Sequence, residues 1–442
     1  MKPLQDHKEE IEYIASQIKT NHSKKKIRFV HGSTNSTRTK DWHTKYHCID
    51  ISSLNQILGI GKDYVVTEPS VPMDKLVRET LRHGLLPPVV MEFPGITVGG
   101  AVQGGALESS SFKWGQFNNI CEEYEVVTGK GNILKVSDKK YADLFYGMSG
   151  SYGSLGLLTA IKLKLIPAKK YVLLEYIPVK RLEILKLMEI KSKQDIDFFD
   201  GIIFDRNKAV IIIGKFIDQE NASLQTFRKA ADPWFYMHAE KITRKNERVK
   251  EVIPLVDYLF RYDRGAFWMG DYFFKILKIP GGNNFFTRLV FNDMLHTRKM
   301  YEGLHKTHYD QQFFIQDFYV PLKNTQKFLE YVKEHLEIYP LWLCPLRSTK
   351  NPEKLSPNYI RGDLIMDIGI WGQTEKTKRN IIKINQEAEK MCSQLGGRKM
   401  LYAHAYYTLK EFWKIYDQKW YKRLREKYHA EKVFPDIYEK TH

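Results

Sequence analysis

Residues 94–115 read P-G-I-T-V-G-G-A-V-Q-G-G-A-L-E-S-S-S-F-K-W-G, and this stretch indicates the fold. Five glycines lie between positions 95 and 105, so the backbone can approach a flat or anionic ligand with no side chain in between. Thr97 and the serines at 109–111 add hydroxyl donors to the backbone N–H groups, which together can form a concave anion site. The pattern predicts a segment that holds a pyrophosphate or a flavin. A glycine-rich turn of an all-β protein is the alternative interpretation.

Two further segments carry a related pattern. Residues 27–30 predict a strand that leads into H-G-S-T-N-S-T-R at 31–38, a second candidate phosphate loop. Taken alone, this loop fits an ordinary strand-ending turn equally well. Gly150, Gly153 and Gly156 recur at every third position before the apolar run 157–165.

The composition describes a packed protein that attracts anions. At 442 residues the chain exceeds the size of one hydrophobic core, which predicts two domains. Hydrophobic residues make up 43% and aromatic residues 13%, so a disordered chain is excluded. The 69 lysines and arginines outnumber the 52 acidic residues, which gives a net charge of +17. This charge suits a dinucleotide, a phosphorylated cosubstrate, an anionic membrane or nucleic acid, and it does not choose among them.

The cysteines and the N-terminus bear on compartment. The four cysteines are widely separated, with no metal-ligand spacing nearby, so we expect neither a disulfide framework nor a metal site. The charged N-terminus does not resemble a signal peptide, and no 18-residue apolar stretch predicts a transmembrane helix. We therefore expect a protein of the cytoplasm or of the membrane periphery.

Hydrophobic periodicity predicts an α+β pattern. Ile11, Ile14 and Ile18 indicate an N-terminal amphipathic helix, residues 72–83 a second helix, and residues 411–442 a helical, aromatic and basic tail. Predicted strands cover 49–58, 64–67, the hairpin 121–128 with 133–136, and then 171–177, 198–204, 209–217, 316–322, 340–345 and 364–372.

The segment 252–286 combines many aromatic residues with Arg261, Arg264, Lys275 and Lys278. Such a segment can line an apolar pocket or contact a membrane. A helical core with solvated charges is the plainer interpretation.

The three glycine segments and the β-rich second half resemble the vanillyl-alcohol-oxidase or PCMH-type family of FAD flavoproteins. Further motifs narrow the match: T-V-G-G-x-x-x-G-x-x-x-E-S-S-S-x-K-x-G at 97–115, D-L-F-Y at 143–146, I-P-A-K-K-Y-V at 166–172, Y-P-x-W-L-C-P at 339–345, D-I-G-x-x-G at 367–372, L-Y-A at 401–403 and E-F-W at 411–413. On these motifs, the chain from about residue 27 onward resembles the delta-24 sterol reductases.

The resemblance implies an α+β fold in which a two-part FAD-binding PCMH-type domain supports a β-sheet-and-helix cap for the substrate. It places the FAD domain at 1–172, the cap at 173–395 and a segment returning to the FAD domain at 396–442. The sterol reductases of animals and plants also carry an N-terminal membrane segment, which we do not expect in this protein.

For the cofactor, the resemblance implies FAD bound by the glycine segments. Many relatives attach FAD covalently through a histidine of the first loop; Asn35 holds that position here, with His31 before the glycine, so we expect no covalent link. No G-x-G-x-x-G fingerprint is present, so NADPH is expected to bind transiently. The predicted cofactor-binding residues are Gly32, Ser33, Thr34, Asn35, Ser36, Thr37, Gly95, Ile96, Thr97, Val98, Gly99, Gly100, Gln103, Gly104, Gly105, Glu108, Ser109, Ser110, Gly115, Gly153 and Gly156.

The implied reaction is reduction of a carbon–carbon double bond in the side chain of a sterol or related isoprenoid, which requires an acid beside the alkene. The candidates are Tyr402, His404 and Glu108, together with Asp367. Each could instead be structural: Glu108 as an acceptor within its loop, His404 as a core histidine and Asp367 as a turn cap. Possible pocket-lining residues are Phe267, Trp268, Phe318, Trp342 and Trp371.

Two other functions fit parts of the sequence. A flavin oxidase or dehydrogenase of the same fold, acting on a sugar alcohol or lactone, would need polar groups where this protein offers Trp, Phe and Tyr. A non-catalytic basic adaptor on membranes or nucleic acid would fit the charge of +17 but would not need three flavin-type segments. We therefore expect no nucleic-acid partner.

Overall fold

The computed structural model describes residues 4–21, 23–32, 36–38, 44–219, 222–307 and 312–442. Over these ranges the chain forms an α+β structure built on a five-stranded and an eight-stranded sheet, which confirms the predicted fold class. The predicted loop residues Ser33, Thr34 and Asn35 lie outside the described residues.

The N-terminal part pairs a helix with a small parallel sheet. Helix α1 (Leu4–Lys19) buries Ile11, Ile14 and Ile18, the face that its periodicity predicts. Strands β1 (Ile27–Val30) and β2 (His47–Asp50) pair in parallel beside it.

The predicted strand 49–58 is wrong as one element. It divides into β2 and β3 (Ile57–Ile60), because the backbone turns between them. The Asp50 carboxylate accepts the Ser52 N–H at 2.8 Å, and such side-chain acceptors stabilise turns.

The five-stranded antiparallel sheet follows the order β3-β4-β8-β6-β7. Its other members are β4 (Tyr64–Thr67), β6 (Cys121–Val127), β7 (Ile133–Ser137) and β8 (Leu157–Lys164), and the predicted 121–136 hairpin is confirmed. Packed around it are α2 (Met73–Leu81), α3 (Val98–Gly104), α4 (Ser111–Trp114), α5 (Ala142–Met148), a 3-10 helix (Phe117–Ile120), and the short pair β5 (Leu85–Leu86) with β9 (Ile166–Pro167).

The glycine-rich stretch folds partly as a helix. The Thr97 hydroxyl accepts the Gly100 N–H at 3.2 Å and caps the start of α3, and Gly105 ends the helix at φ 65°. A Cβ on Gly99 would lie 2.7 Å from the Pro69 side chain, so the missing side chain lets α3 pack closely on the neighbouring segment. This contact offsets the poor helix propensity of glycine.

The eight-stranded antiparallel sheet follows the order β13-β10-β12-β11-β15-β16-β14-β17. Its strands are β10 (Tyr171–Lys180), β11 (Phe198–Ile203), β12 (Lys208–Ile217), β13 (Val249–Pro254), β14 (Phe314–Pro321), β15 (Leu341–Arg347), β16 (Leu364–Gly372) and β17 (Arg398–Lys399). The six strands predicted for the second half all lie in it. β11 is buried throughout because both faces of the sheet are covered.

Helices cover both faces of this sheet and continue into the tail. They are α6 (Ile184–Lys191), α7 (Phe235–Lys245), α8 (Leu255–Leu259), α9 (Gly270–Ile276), α10 (Phe285–Phe291), α11 (Thr297–Thr307), α12 (Leu322–Tyr331), α13 (Glu375–Gln394), α14 (Leu409–Ile415), α15 (Gln418–Lys427) and α16 (Ile437–Thr441), with a 3-10 helix at Asn292–Leu295 and a π-helix at Val332–Leu336. The tail helices bury Phe412, Tyr421 and Ile437 in the core of the five-stranded sheet.

Candidate active site

One cavity of about 840 Å³ runs between the glycine segments and the eight-stranded sheet. At one end it is lined by residues of β1, the following loop, α3 and α16. At the other end it is lined by the sheet and by the segment from α9 to α11. A volume of this size is typical of a site for a cofactor or a small molecule.

Three cations meet at the first end of the cavity: Arg28 on β1, Arg38 after the loop and Lys440 on α16. Burial and then Arg38 lower the pKa of Arg28 to about 10, and burial also lowers the pKa of Arg38. For Lys440, burial followed by Arg28, Arg38 and Arg425 moves the pKa well below its usual range. Like charges held together away from water favour a bound polyanion.

Arg38 is held at this end of the cavity by contacts with Leu401 and Tyr152. Its Nη1 donates to the Leu401 carbonyl, while its Nε has no hydrogen-bond partner among the described residues. The guanidinium lies 5.0 Å from the centre of the Tyr152 ring. The Asp50 carboxylate lines the same cavity but is already engaged with Ser52.

Glycines give a ligand close access here. Gly153 has φ 73°, and a Cβ on it would lie 3.2 Å from Lys440 Nζ. Gly32 has φ 72° and no heavy atom within 4 Å of the Cβ position among the described residues. Together with the three cations, this open backbone fits the pyrophosphate of a dinucleotide.

Two strands bring acidic groups to the middle of the cavity. Asp317 on β14 lies opposite Gly369 on β16, and Trp371 follows two residues later on the same face. Tyr402 donates its hydroxyl hydrogen to Asp317 Oδ2 at 2.5 Å, and Trp371 Nε1 lies 3.4 Å from the same oxygen. A Cβ on Gly369 would lie 2.5 Å from the Trp371 ring and 2.9 Å from Asp317 Oδ1, so only glycine leaves room for both.

The carboxyl groups of this middle region bind protons tightly. Burial raises the pKa of Asp317 to about 7, against the opposing effect of the Tyr402 and Trp371 hydrogen bonds. Burial, then Glu108 and Asp317, raise the pKa of Glu92 to about 8. Asp367, fully buried and repelled by Asp317 and Glu92, also has a raised pKa. Asp317, Glu92 and Asp367 all line the cavity, so its lining includes three carboxyl groups with raised pKa values.

Glu108 lies outside the cavity lining, in a buried charge network. Arg261 Nη2 contacts Glu108 Oε1 at 2.9 Å and Asp200 Oδ2 at 2.8 Å. Ser109 donates its N–H and its hydroxyl to Glu108, while Trp342 Nε1 donates to Asp200 at 3.0 Å. The network joins the glycine-rich stretch to β11 and the segment after α8.

His404 also lies outside the cavity lining. Its ring stacks edge-on against Tyr406 at 4.6 Å, and its carbonyl accepts Lys399 Nζ at 2.6 Å. Burial, with Lys399 and Arg38, lowers the pKa of His404 to about 4, so the ring is neutral at pH 7. The role of His404 as the acid stays a prediction, and its position outside the cavity lining and its lowered pKa do not favour that role.

The predicted cofactor residues divide into three groups. The cavity is lined by Gly32, Ser36, Thr37, Gly95, Ile96, Thr97, Gly99, Gly100, Gln103, Gly104, Gly153 and Gly156. Outside its lining lie Val98, Gly105, Glu108, Ser109, Ser110 and Gly115. The third group is Ser33, Thr34 and Asn35, outside the described residues.

The aromatic candidates divide by strand geometry. Phe267, Trp342 and Trp371 line the cavity. Phe318 lies in the hydrophobic layer on the other face of the sheet, because alternate residues of a strand point to opposite faces and Asp317 takes the cavity side. Trp268 lies behind the lining and donates Nε1 to the Trp371 carbonyl at 2.8 Å.

Sequence reasoning missed Arg28, Arg38, Lys440, Glu92 and Asp317 as site residues. Asp317 carried a signal, since it is a lone carboxylate within the apolar strand Q-D-F-Y-V-P-L. Glu92 carried a weaker signal, as an acidic residue between apolar residues before the glycines. The sequence around Lys440 gave no signal of a role in the site.

Metal ligation and membrane crossing find no support in the described ranges. Within them, no cluster of three or more His, Cys, Asp or Glu side chains could bind a metal ion. In the same part of the protein, no helix has the length and apolar character needed to cross a bilayer.

Comparison with known proteins gives a consistent assignment. The family described as an FAD binding domain matches residues 6–137. Over 410 residues the protein is 34% identical to the delta(24)-sterol reductase of Homo sapiens, covering 90% of this chain and 78% of the relative. It is 31% identical over 432 residues to the delta(24)-sterol reductase of Arabidopsis thaliana, covering 89% and 76%.

A third relative is the delta(24)-sterol reductase homolog of Caenorhabditis elegans, 30% identical over 412 residues, with 87% of this chain and 76% of the relative covered. Each of these three matches covers at least 87% of this chain. The protein has an FAD-binding domain and belongs to the delta(24)-sterol reductase family.

Proposed function

We propose that this protein is an FAD-dependent oxidoreductase that reduces the delta-24 double bond in the side chain of a sterol or related isoprenoid, with NADPH as electron donor. The main support is the cavity itself. It joins a cation-lined end suited to a pyrophosphate with an apolar end, and Asp317 and Tyr402 lie between them. When bound, FAD supplies the hydride for the reduction.

We propose that FAD is held without a covalent bond by the glycine segments of residues 1–172 and by the tail 396–442. Arg28, Arg38 and Lys440 would bind its pyrophosphate. Residues 173–395 would form the cap over the substrate. Strand β17, just beyond residue 395, pairs with β14 of the eight-stranded sheet, so the tail would return to the FAD domain after Lys399.

The apolar end suits a long hydrocarbon. It is formed mainly by side chains of the segment from α9 to α11 and of β14. The lining there includes Phe267, Met269, Tyr272, Phe273, Ile276, Leu277, Met294, Met300, Tyr301, Phe313 and Ile315. A polyol would leave its hydroxyl groups unpaired against these side chains, which argues against the sugar-alcohol alternative.

We assign proton delivery to the Asp317–Tyr402 pair. Protonation of the less substituted alkene carbon leaves a tertiary cation, which then accepts hydride. Burial raises the pKa of Asp317 to about 7, and its Oδ1 has no hydrogen-bond partner among the described residues, so that oxygen can hold the proton. Tyr402 donates to the other oxygen and fixes the carboxyl group. Glu92 and Asp367 line the same cavity, and Asp317 contributes to the raised pKa of each.

An anaerobic absorbance spectrum tests the function. We expect a flavin band that acid releases, that NADPH bleaches and that a delta-24 sterol such as desmosterol restores, with the saturated side chain as product. A flavin that bleaches with NADPH but never responds to the sterol would refute the substrate. Rapid oxygen consumption with polyols would favour the oxidase instead.

Removing one of the three cations should weaken FAD binding while relieving repulsion in the empty protein. For Lys440→Met we expect the dissociation constant for FAD to rise about 10- to 100-fold, the cost of one hydrogen bond to a charged group. The melting temperature of the FAD-free protein should stay the same or rise, because a buried ammonium beside two arginines is removed.

Lys427→Met is the matched control, since Lys427 lies in the same tail but pairs with Asp143 at the surface. It should leave FAD affinity unchanged. Fluorescence titration and thermal unfolding, each with and without FAD, measure both effects. A Lys440→Met protein that binds FAD as tightly as the original would exclude Lys440 from the cofactor site.

A further inference from the structure

Helix α10 (Phe285–Phe291) exposes most of its apolar side chains, although Phe291 at its end is partly buried against Phe273 and Phe274. Its sequence is F-F-T-R-L-V-F, yet the side chain that it buries is Arg288, 8% exposed. Phe286 is 74% exposed and Val290 73%, with Phe285 and Leu289 each more than half exposed. A soluble helix normally turns its apolar side to the core, so this face is built to meet an apolar environment.

Specific bonds fix this orientation. Arg288 Nε donates to the Ala231 carbonyl at 3.1 Å, and its Nη1 donates to Asn283 Oδ1 at 3.1 Å. The Asn284 side chain accepts the Phe286 N–H at 2.9 Å and caps the helix. The hydrogen bonds of the buried Arg288 therefore keep the apolar face of α10 directed to the outside.

Helix α10 packs beside elements that line the cavity: the Phe291 ring at its end lies 5.5 Å from the ring of Phe273, which lines the cavity. Leu277 is 55% exposed and Met294 53%, and both line the cavity, as does the partly exposed Ile276. We call the four exposed apolar side chains of α10 together with Ile276, Leu277 and Met294 the mouth patch. Its position links the surface to the apolar end of the cavity.

Positive charge borders the mouth patch. Lys275 and Lys278, both exposed, flank Ile276 and Leu277 in the sequence. Apolar side chains interleaved with lysines are the composition of a surface that lies in the interface of an anionic bilayer. A second copy of the protein would bring the same lysines face to face, which disfavours self-association through this patch.

We propose that the mouth patch docks on an anionic lipid bilayer, so that the cavity opens toward the acyl chains. The α10 side chains would enter the interface, and Lys275 and Lys278 would contact lipid phosphates. An apolar substrate would then reach the cavity from the lipid without crossing water. The docking itself does not depend on the proposed reaction, although the identity of the substrate does.

Vesicle sedimentation tests the docking. The protein would be mixed with vesicles of phosphatidylcholine alone or with 30% phosphatidylserine, about the range of anionic content that attracts basic surfaces. We expect binding to the mixed vesicles that weakens with salt. The double variant Phe286→Ser/Val290→Ser should bind at least about tenfold less, since two apolar side chains no longer enter the interface.

The matched control is Leu182→Ser/Ile190→Ser. These side chains are 69% and 50% exposed, beside and on α6, which packs on the other face of the sheet. The control should bind vesicles as the unaltered protein does, and all three proteins should retain FAD. Equal binding by the Phe286→Ser/Val290→Ser protein, or no binding by the unaltered protein, would overturn the proposal, as would a dimer that this variant converts to monomers.

A second measurement links docking to substrate access. With the sterol embedded in vesicles, Phe286→Ser/Val290→Ser should lower turnover about as much as it lowers binding. With the sterol delivered by cyclodextrin, turnover should be unchanged, because neither residue lines the cavity. Absence of turnover in both assays, with vesicle binding intact, would refute the proposed function and leave the docking surface standing.

Discussion

Replacement of Asp317 by asparagine is expected to slow sterol reduction about 100- to 10,000-fold while FAD remains bound, the range for loss of a general acid. Asparagine has the same shape and its amide oxygen can still accept the Tyr402 hydroxyl hydrogen, but its amide N–H groups are far too weakly acidic to transfer a proton. Bleaching of the flavin by NADPH should keep its rate, and the return of absorbance with sterol should become slow. Stopped-flow absorbance measures the rate of bleaching by NADPH separately from the rate at which absorbance returns with sterol.

The pH dependence should identify the same group. The proton donor acts in its acid form, so the rate of the sterol step should be constant below about pH 7 and fall above it, following the raised pKa of Asp317. In Asp317→Asn this fall should disappear from the residual rate. Tyr402→Phe should keep the fall in rate but move it to higher pH, because the Tyr402 hydrogen bond lowers the pKa of Asp317.

Asp257→Asn is the control for Asp317→Asn. Asp257 is a buried aspartate outside the cavity lining, 3.2 Å from Arg228 Nε. Its replacement should leave both rates within a factor of about two, since it touches neither substrate nor cofactor. Equal sterol rates in Asp317→Asn and the original protein would remove Asp317 from the reaction and return attention to Asp367 and Glu92.

Replacement of Arg261 by methionine is expected to cost about 3–5 kcal/mol of unfolding free energy, the loss typical when one partner of a buried ion pair is removed. Glu108 and Asp200 would remain buried without their counterion. The Arg261 guanidinium also lies 4.2 Å from the Tyr258 ring centre, so a packing contact is lost as well. The midpoint of urea unfolding, measured with FAD in excess, reports the change.

Arg244→Met provides the comparison. Arg244 pairs with Glu240 at 2.7 Å on the surface of α7, with its side chain 68% exposed, and its loss should cost at most about 1 kcal/mol. Adding Glu108→Gln to Arg261→Met should recover part of the stability, because one unpaired carboxylate is removed. A small effect of Arg261→Met alone would show that the network does not hold the two sheets together.

The same variants bear on the catalytic prediction for Glu108. If Glu108 is structural, Glu108→Gln lowers the unfolding midpoint and leaves the pH profile of the sterol step unchanged. If Glu108 is the proton donor, Glu108→Gln instead leaves the unfolding midpoint unchanged and alters the pH profile of the sterol step. The contact with Arg261 and the position outside the cavity favour the structural outcome.

Local patterns were sufficient for much of the fold. The strands of the eight-stranded sheet are runs of β-branched and aromatic residues, and the glycine-rich stretch lines the cavity as its composition predicts. The helix α3 inside that stretch was not predictable, because it depends on Gly99 packing against Pro69. Propensity alone disfavours three glycines in seven helical residues.

The site was less predictable than the fold because its charges come from distant parts of the sequence. Arg38 and Lys440 are near opposite ends, and no spacing rule connects them. By contrast, the period of two along β14 could have separated Asp317 from Phe318, since only one of them can face the cavity. The Tyr402–Asp317 hydrogen bond joins residues 85 positions apart in the sequence, so no local pattern predicts it.

Helix α16, which brings Lys440 to the cation-lined end of the cavity, also has a consequence for biosynthesis. Synthesis proceeds from the N-terminus, so Arg28, Arg38 and the glycine segments leave the ribosome long before Lys440 does. The cation cluster is incomplete until then. Flavin uptake should therefore follow the emergence of Lys440 from the ribosome, and until then the nascent chain has only the two arginines of the cluster.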